Sequence, residues 1–186
     1  IEEYGIAQVS MNLTNISITS MHQAFEACRT SANKRGLRVT GSELIGLIPK
    51  QAMLDAGKFY LKQQNRSVGI SENELIDIAI MSLGLNHLSP FNPKEKIIEY
   101  VLEDAAAKPL INMPLNTFAD TTASESPAPG GGSIAAYVGA LGAALGAMVG
   151  NLSSHKRGWD DKVETYGALA EKAQQSKKEL LDLVDE

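Results

Sequence analysis

Apolar and polar positions alternate between residues 7 and 14: Ala7, Val9, Met11 and Leu13 are interleaved with Gln8, Ser10, Asn12 and Thr14. A period of two puts each set on one face of an extended chain, so a half-buried β-strand is predicted here. The period then changes. Met21, Phe25 and Cys28, with Ala24 and Ala32 beside them, recur at helical spacing. Ser20 and Gln23 are spaced to form a capping box at the start of that helix, and Gly36 is placed to end it. Two short apolar runs, 37–40 and 44–48, flank Gly41-Ser42 and predict a strand, a break and a second strand. Pro49 suits the first turn of a helix that carries Met53, Leu54, Gly57, Tyr60 and Leu61 on its inner face. Further helices are predicted over 72–83, with Gly84 as the stop, and over 94–106, with Asn92-Pro93 as the start.

The texture changes after residue 104. Pro109, Pro114 and the polar run Thr121–Ser126 bracket a short helix around Leu115–Ala123. Pro127-Ala128-Pro129-Gly130-Gly131-Gly132-Ser133 is a rigid-then-flexible loop opening onto an apolar helix over 134–152. On it Gly142, Gly146 and Gly150 recur every four residues, which predicts a face open to close approach by another backbone. Residues 159–186 predict one long amphipathic helix with Val163, Tyr166, Ala170, Ala173, Leu180 and Val184 along its seam, interrupted by Lys177. The alternation of strand and helix over 1–104 predicts an α+β fold built as an α/β layer. Residues 105–126 form a linker with a first short helix, and 127–186 an all-α helical bundle segment.

Composition narrows the class. With 44% hydrophobic residues the chain can build a core, which excludes wholesale disorder. The single cysteine, Cys28, excludes a disulfide framework and any zinc site built on cysteine pairs, and makes the cytoplasm the expected compartment. A net charge of −5 offers no basic face for phosphates, so nucleic acid is not an expected partner. Most of that charge lies in residues 111–186, with six basic residues against ten acidic. Residues 134–152 are uncharged over 19 positions, long enough to span a bilayer, but ten of these are Ala or Gly. Such residues contribute little to insertion, so a buried helix is expected and no membrane. The chain opens at Ile1 and stops at Glu186 inside a predicted helix, so it is expected to be a piece of something longer.

Candidate chemistry centres on the glycine loop. Gly130, Gly131 and Gly132 ahead of a helix expose backbone N–H groups at the positive end of its dipole, and Ser133 adds a hydroxyl. An anionic or carbonyl-bearing ligand suits that arrangement, and a flexible linker explains the composition equally well. It lacks the Gly-Lys-Ser/Thr of a Walker loop and the preceding strand of a dinucleotide fingerprint. His155, Lys156 and Arg157 are good residues for a helix C-terminus and can also hold a carboxylate tail. His22 and His87 have no partners at ligand spacing, so no metal is expected. Cys28 lies on an apolar stripe as a packed small residue, and Trp159 is either a stacking platform or an anchor for a turn. Asp182 and Asp185 share one side of the last helix with Glu186 adjacent, as solvated surface or as a desolvated acid–base group.

Longer motifs point further. The 127–133 loop followed by Ile134-Ala135-Ala136, Gly139-Ala140-Leu141-Gly142-Ala143-Ala144-Leu145 and Met148-Val149 resembles the start of cyclodeaminase domains. Ala7-Gln8-Val9-Ser10, Asn12-Leu13 and Val39-Thr40-Gly41-Ser42-Glu43-Leu44-Ile45-Gly46-Leu47-Ile48-Pro49 resemble the end of formiminotransferase domains. So do Leu54-Asp55-Ala56, Ser82-Leu83-Gly84-Leu85 and the run from Pro90 to Tyr100. The resemblance covers essentially the whole chain, in the order of the bifunctional formiminotransferase-cyclodeaminase family.

That resemblance implies two linked activities. The first moves a formimino group from N-formiminoglutamate to tetrahydrofolate in histidine degradation. The second cyclises 5-formiminotetrahydrofolate to 5,10-methenyltetrahydrofolate and releases ammonia. It also implies a homo-oligomer and a polyglutamylated folate as substrate. The family's Leu-Val-Asp element falls on Leu183-Val184-Asp185, which makes Asp185 the implied cyclodeaminase catalyst. With a folate as ligand, the amide cluster of Gly130, Gly131, Gly132 and Ser133 is expected to hold its polar edge or carboxylate, and Lys156 or Arg157 to attract its polyglutamate tail by charge. The transferase's own catalytic residues lie upstream of the matched motifs, and neither activity is expected of these residues in isolation. The alternative is a non-catalytic module for oligomerisation or folate binding, using the small-residue helix only for packing.

Overall fold

The computed structural model describes residues 4–103 and 108–186. They divide into two compact units. The first comprises the chain up to Tyr60 together with Leu75–Val101, and the second comprises Leu61–Glu74 together with Leu102–Glu186.

In the first unit α1 (Met21–Asn33) starts on the expected capping box: Ser20 Oγ accepts from the Gln23 N–H at 3.4 Å, and Gln23 Oε1 accepts from the Ser20 N–H at 3.0 Å. Gly36, at φ +74°, ends it in the left-handed region that favours glycine. Its deepest residue is His22, whose ring stacks on Phe59 at 4.5 Å, whereas Met21, Phe25 and Cys28 are only half-buried. The core lies between α2 (Lys50–Gln63) and α3 (Glu72–Leu83), where Met53, Ile76 and Leu83 are buried.

The expected α/β layer is not formed among the described residues, and the unit is helical. Residues 7–14, 37–40 and 44–47 are not assigned to any strand, and Val9 stands 72% exposed. A strand is stable only with a neighbour to complete its hydrogen bonds, and here the period-two pattern sits on unpaired chain. One bridge does form, parallel, between Ile48 and Ile97: the Ile48 N–H donates to the Lys96 carbonyl at 2.9 Å and the Ile98 N–H to the Ile48 carbonyl at 3.0 Å. This bridge also corrects the predicted 94–106 helix. Ile97 takes an extended conformation and is fully buried, which splits the segment into α4 (Pro93–Lys96) and α5 (Ile98–Val101). Residues 104–107 of that prediction lie outside the described residues.

The second unit is all-helical among the described residues, with α6 (Leu115–Thr122), α7 (Gly131–Ser154) and α8 (Val163–Asp182). A 3-10 turn over Asp160–Lys162 precedes α8, and α8 ends at Asp182, so the single helix expected over 159–186 is shorter at both ends. Helices α7 and α8 form an antiparallel hairpin. A Cβ built on Gly139 meets the Leu180 side chain at 3.3 Å, and one on Gly150 meets Ala170 at 2.9 Å. The buried strip of α7 is Ala136, Ala140, Ala147, Gly150 and Ser154. Of the three glycines expected on one packing face, only Gly150 is buried there, and Gly142 has open space around it.

By length and composition α7 can cross a membrane. It packs along α8, however, which carries Glu164, Glu171, Lys172, Lys177, Lys178 and Glu179, charges costly to bring into hydrocarbon.

Candidate functional site

The glycine segment is not a free loop. Gly130 is the N-cap of α7, and Gly131, Gly132 and Ser133 form its first turn. Gly130 has no side chain with which to cap this terminus, and the first backbone bond of the helix runs from the Ile134 N–H to the Gly130 carbonyl at 3.1 Å. The N–H groups of Gly131, Gly132 and Ser133 therefore precede the helical ladder, at the positive end of a 24-residue dipole. A Cβ on Gly131 or Gly132 would meet nothing within 4 Å, so glycine leaves room here for something other than protein.

Below this turn lies an apolar base in which Phe118, Ala136 and Val184 are buried and Leu110, Met113, Ile134 and Tyr137 pack against them. The antiparallel hairpin brings the end of the chain to the same place. A cavity of about 540 Å³ is lined by Gly130, Gly132, Ser133, Ala136, Leu183 and Glu186. One acidic residue, Glu186, thus lines the same cavity as the first turn of α7.

Asp185 is half-buried and does not itself line this cavity: its neighbours Leu183 and Glu186 do, while its own carboxylate turns to the 110–111 backbone. Its Oδ1 accepts from the Leu110 N–H at 2.7 Å and its Oδ2 from the Ile111 N–H at 3.1 Å. Asp182, one turn back, pairs with the Lys108 ammonium. Both acidic residues therefore hold the 108–111 segment against the end of α8. A carboxylate has about four lone-pair sites, so the two amide donors leave room for a further hydrogen-bond donor at Asp185.

Lys156 and Arg157 are elsewhere. They follow the C-terminus of α7, about 35 Å along the helix from Gly131 at 1.5 Å per residue. The Lys156 and Lys162 ammonium groups each lie 4.2 Å from the centroid of the Trp159 ring, which stacks on Tyr166 at 5.4 Å. Trp159 therefore anchors the turn between α7 and α8. His155 caps the same end, and burial, assisted by Arg66, holds its imidazole below the usual range. Of the six residues expected to contact folate, Gly130, Gly132 and Ser133 line one cavity with Glu186, Gly131 belongs to the same helical turn, and Lys156 and Arg157 lie at the opposite end of α7. Sequence reasoning gave Glu186 no role of its own. Its only signal was adjacency to Asp185. Among the described residues, no three His, Cys, Asp or Glu side chains come together to hold a metal ion.

Residues 1–103 match the family model described as the formiminotransferase domain. The chain belongs to the formiminotransferase domain family. Residues 114–186, which include the whole cavity lining, match the model described as formiminotransferase-cyclodeaminase. The formimidoyltransferase-cyclodeaminase of Gallus gallus is 41% identical over 186 residues, covering 100% of this chain and 34% of that protein. The enzyme of the same name from Mus musculus is 40% identical over the same span, again 34% of its length. The methenyltetrahydrofolate cyclohydrolase of Methylorubrum extorquens is 37% identical over 73 residues, 39% of this chain and 35% of that protein. The chain thus spans about a third of the length of the curated relatives it matches.

Proposed function

We propose that this chain belongs to a bifunctional folate enzyme that transfers a formimino group from N-formiminoglutamate to tetrahydrofolate and then cyclises the product. Identity to the bifunctional relatives over the whole chain carries this reading. The cyclising step is assigned to the cavity between the first turn of α7 and Glu186, with Asp185 the residue before it.

Ring closure requires N10 of 5-formiminotetrahydrofolate to attack the formimino carbon and lose its proton. The formimino nitrogen must then be protonated and leave as ammonia, giving 5,10-methenyltetrahydrofolate. One carboxylate can accept the first proton and return it to the leaving amine, a contribution of about 10²–10⁴-fold. Asp185 fills that role in this reading, oriented by the Leu110 and Ile111 amides. The Gly131, Gly132 and Ser133 amides hold a polar edge or carboxylate of the folate, which is a substrate and not a resident cofactor. Lys156 and Arg157 lie too far away to share that contact. At that distance they act on a polyglutamylated folate by long-range charge.

Homo-oligomerisation in the cytoplasm completes the reading. Val138, Leu141, Leu145, Met148 and Leu152 form an exposed apolar stripe on α7 that suits association, and the single cysteine suits a reducing compartment.

The test uses Gly131→Val in a full-length enzyme carrying this segment. The added side chain enters open space, so folding should be preserved. Calorimetric titration with a tetrahydrofolate analogue should show affinity reduced at least about tenfold, because the valine side chain takes the space a ligand on these amides would fill. Unchanged affinity would return the segment to a mere helix start.

A further inference from the structure

Residues 67–72 fall within the formiminotransferase match, yet the structure builds them into the helical unit. Ser67 is 3% exposed, and its Oγ donates to Asn151 Oδ1 at 2.7 Å. The same hydroxyl accepts the Gly69 N–H at 3.1 Å. Asn151 returns a bond from Nδ2 to the Gly69 carbonyl at 2.7 Å, which Gln174 Nε2 also reaches at 3.4 Å. A single α7 side chain is thus satisfied at both ends by one loop. Beyond it, the Lys178 ammonium on α8 lies 2.6 Å from Glu72.

Packing matches the hydrogen bonds. A Cβ on Gly69 would stand 2.4 Å from the Ala170 Cβ and 2.5 Å from the Glu171 backbone nitrogen. Gly150 on α7 meets the same Ala170, which is fully buried. The backbones of the loop, α7 and α8 therefore converge with almost no side chain between them, a geometry that only the smallest residues allow.

We infer that residues 67–72 are a clip by which the formiminotransferase-matched part of the chain grips the α7–α8 hairpin. The surface is polar at Asn151 and Gln174, backbone-tight at Gly150 and Ala170, and ionic at Lys178. The two matched regions are consequently joined twice, by the covalent connection between residues 103 and 114 and by this clip.

Cutting the covalent connection tests it. A protease site replaces residues 104–107 in the full chain, and the purified protein is cleaved. The two pieces should co-elute on size exclusion at micromolar concentration. Asn151→Ala, which leaves the buried Ser67 hydroxyl and Gly69 carbonyl short of a partner, should weaken their association at least about tenfold. Gly69→Val should separate them, and if that variant fails to fold, Asn151→Ala decides. Separation of the unsubstituted pieces, or association unchanged in Asn151→Ala, would overturn the clip.

Discussion

His22 shows how one residue can join local and tertiary forces. Its ring is 8% exposed and stacked on Phe59, its Nε2 lies 3.0 Å from Ser20 Oγ, and its Nδ1 is buried without a partner among the described residues. Burial holds the imidazole below its usual 6.5, against the pull of Asp55 and Glu26. The folded state therefore favours the neutral ring, while the unfolded chain takes up a proton near the usual value. Stability from this site is complete above pH 6.5 and is lost as pH falls from there toward the folded value. Thermal melts across that window should show a falling midpoint, and His22→Phe should flatten the slope while keeping the stack. An unaltered slope would rule His22 out as its source. The capping box beside it was legible because both partners lie three positions apart. The burial of His22 was not, because Phe59 reaches it from another helix.

At the scale of elements, period is informative only when something can pack against it. The α7 glycines repeat every four residues, and at about 100° per residue each repeat drifts about 40° around the helix. Gly142 and Gly150 therefore cannot share the narrow strip that faces α8. Gly142→Ala should stabilise the protein by up to about 1 kcal/mol, since its Cβ enters open space and helix propensity improves. Gly150→Ala should destabilise it, because its Cβ lies 2.9 Å from the Ala170 Cβ and 3.0 Å from the Tyr166 carbonyl. Urea unfolding of the two variants should shift in opposite directions, and equal shifts would refute the assigned face. Helices α2 and α3 were legible from their apolar spacing. The strand at 7–14 was legible only as a pattern, since pairing depends on a neighbour that local sequence does not name. Helix α4 stops where Ile97 turns to bridge Ile48, a long-range event invisible to periodicity.

For the whole molecule, the family was legible because its motifs run in order along both regions, and the matches over 1–103 and 114–186 agree with that reading. The Gly130–Ser133 turn was recognisable as an amide cluster, but its meeting with Glu186 depends on the antiparallel return of α8. The clip between Ser67 and Asn151 joins residues 84 positions apart with no sequence signature at either end. In the proposed function Asp185, just beyond the end of α8, carries the proton of the cyclisation. Its most direct test is Asp185→Asn in a full-length enzyme carrying this segment, since asparagine keeps an oxygen to accept one of the two amides but cannot carry the proton. Formation of 5,10-methenyltetrahydrofolate from 5-formiminotetrahydrofolate should fall by about 10²–10⁴-fold while formimino transfer continues. Cyclisation at the unsubstituted rate would contradict that role of Asp185.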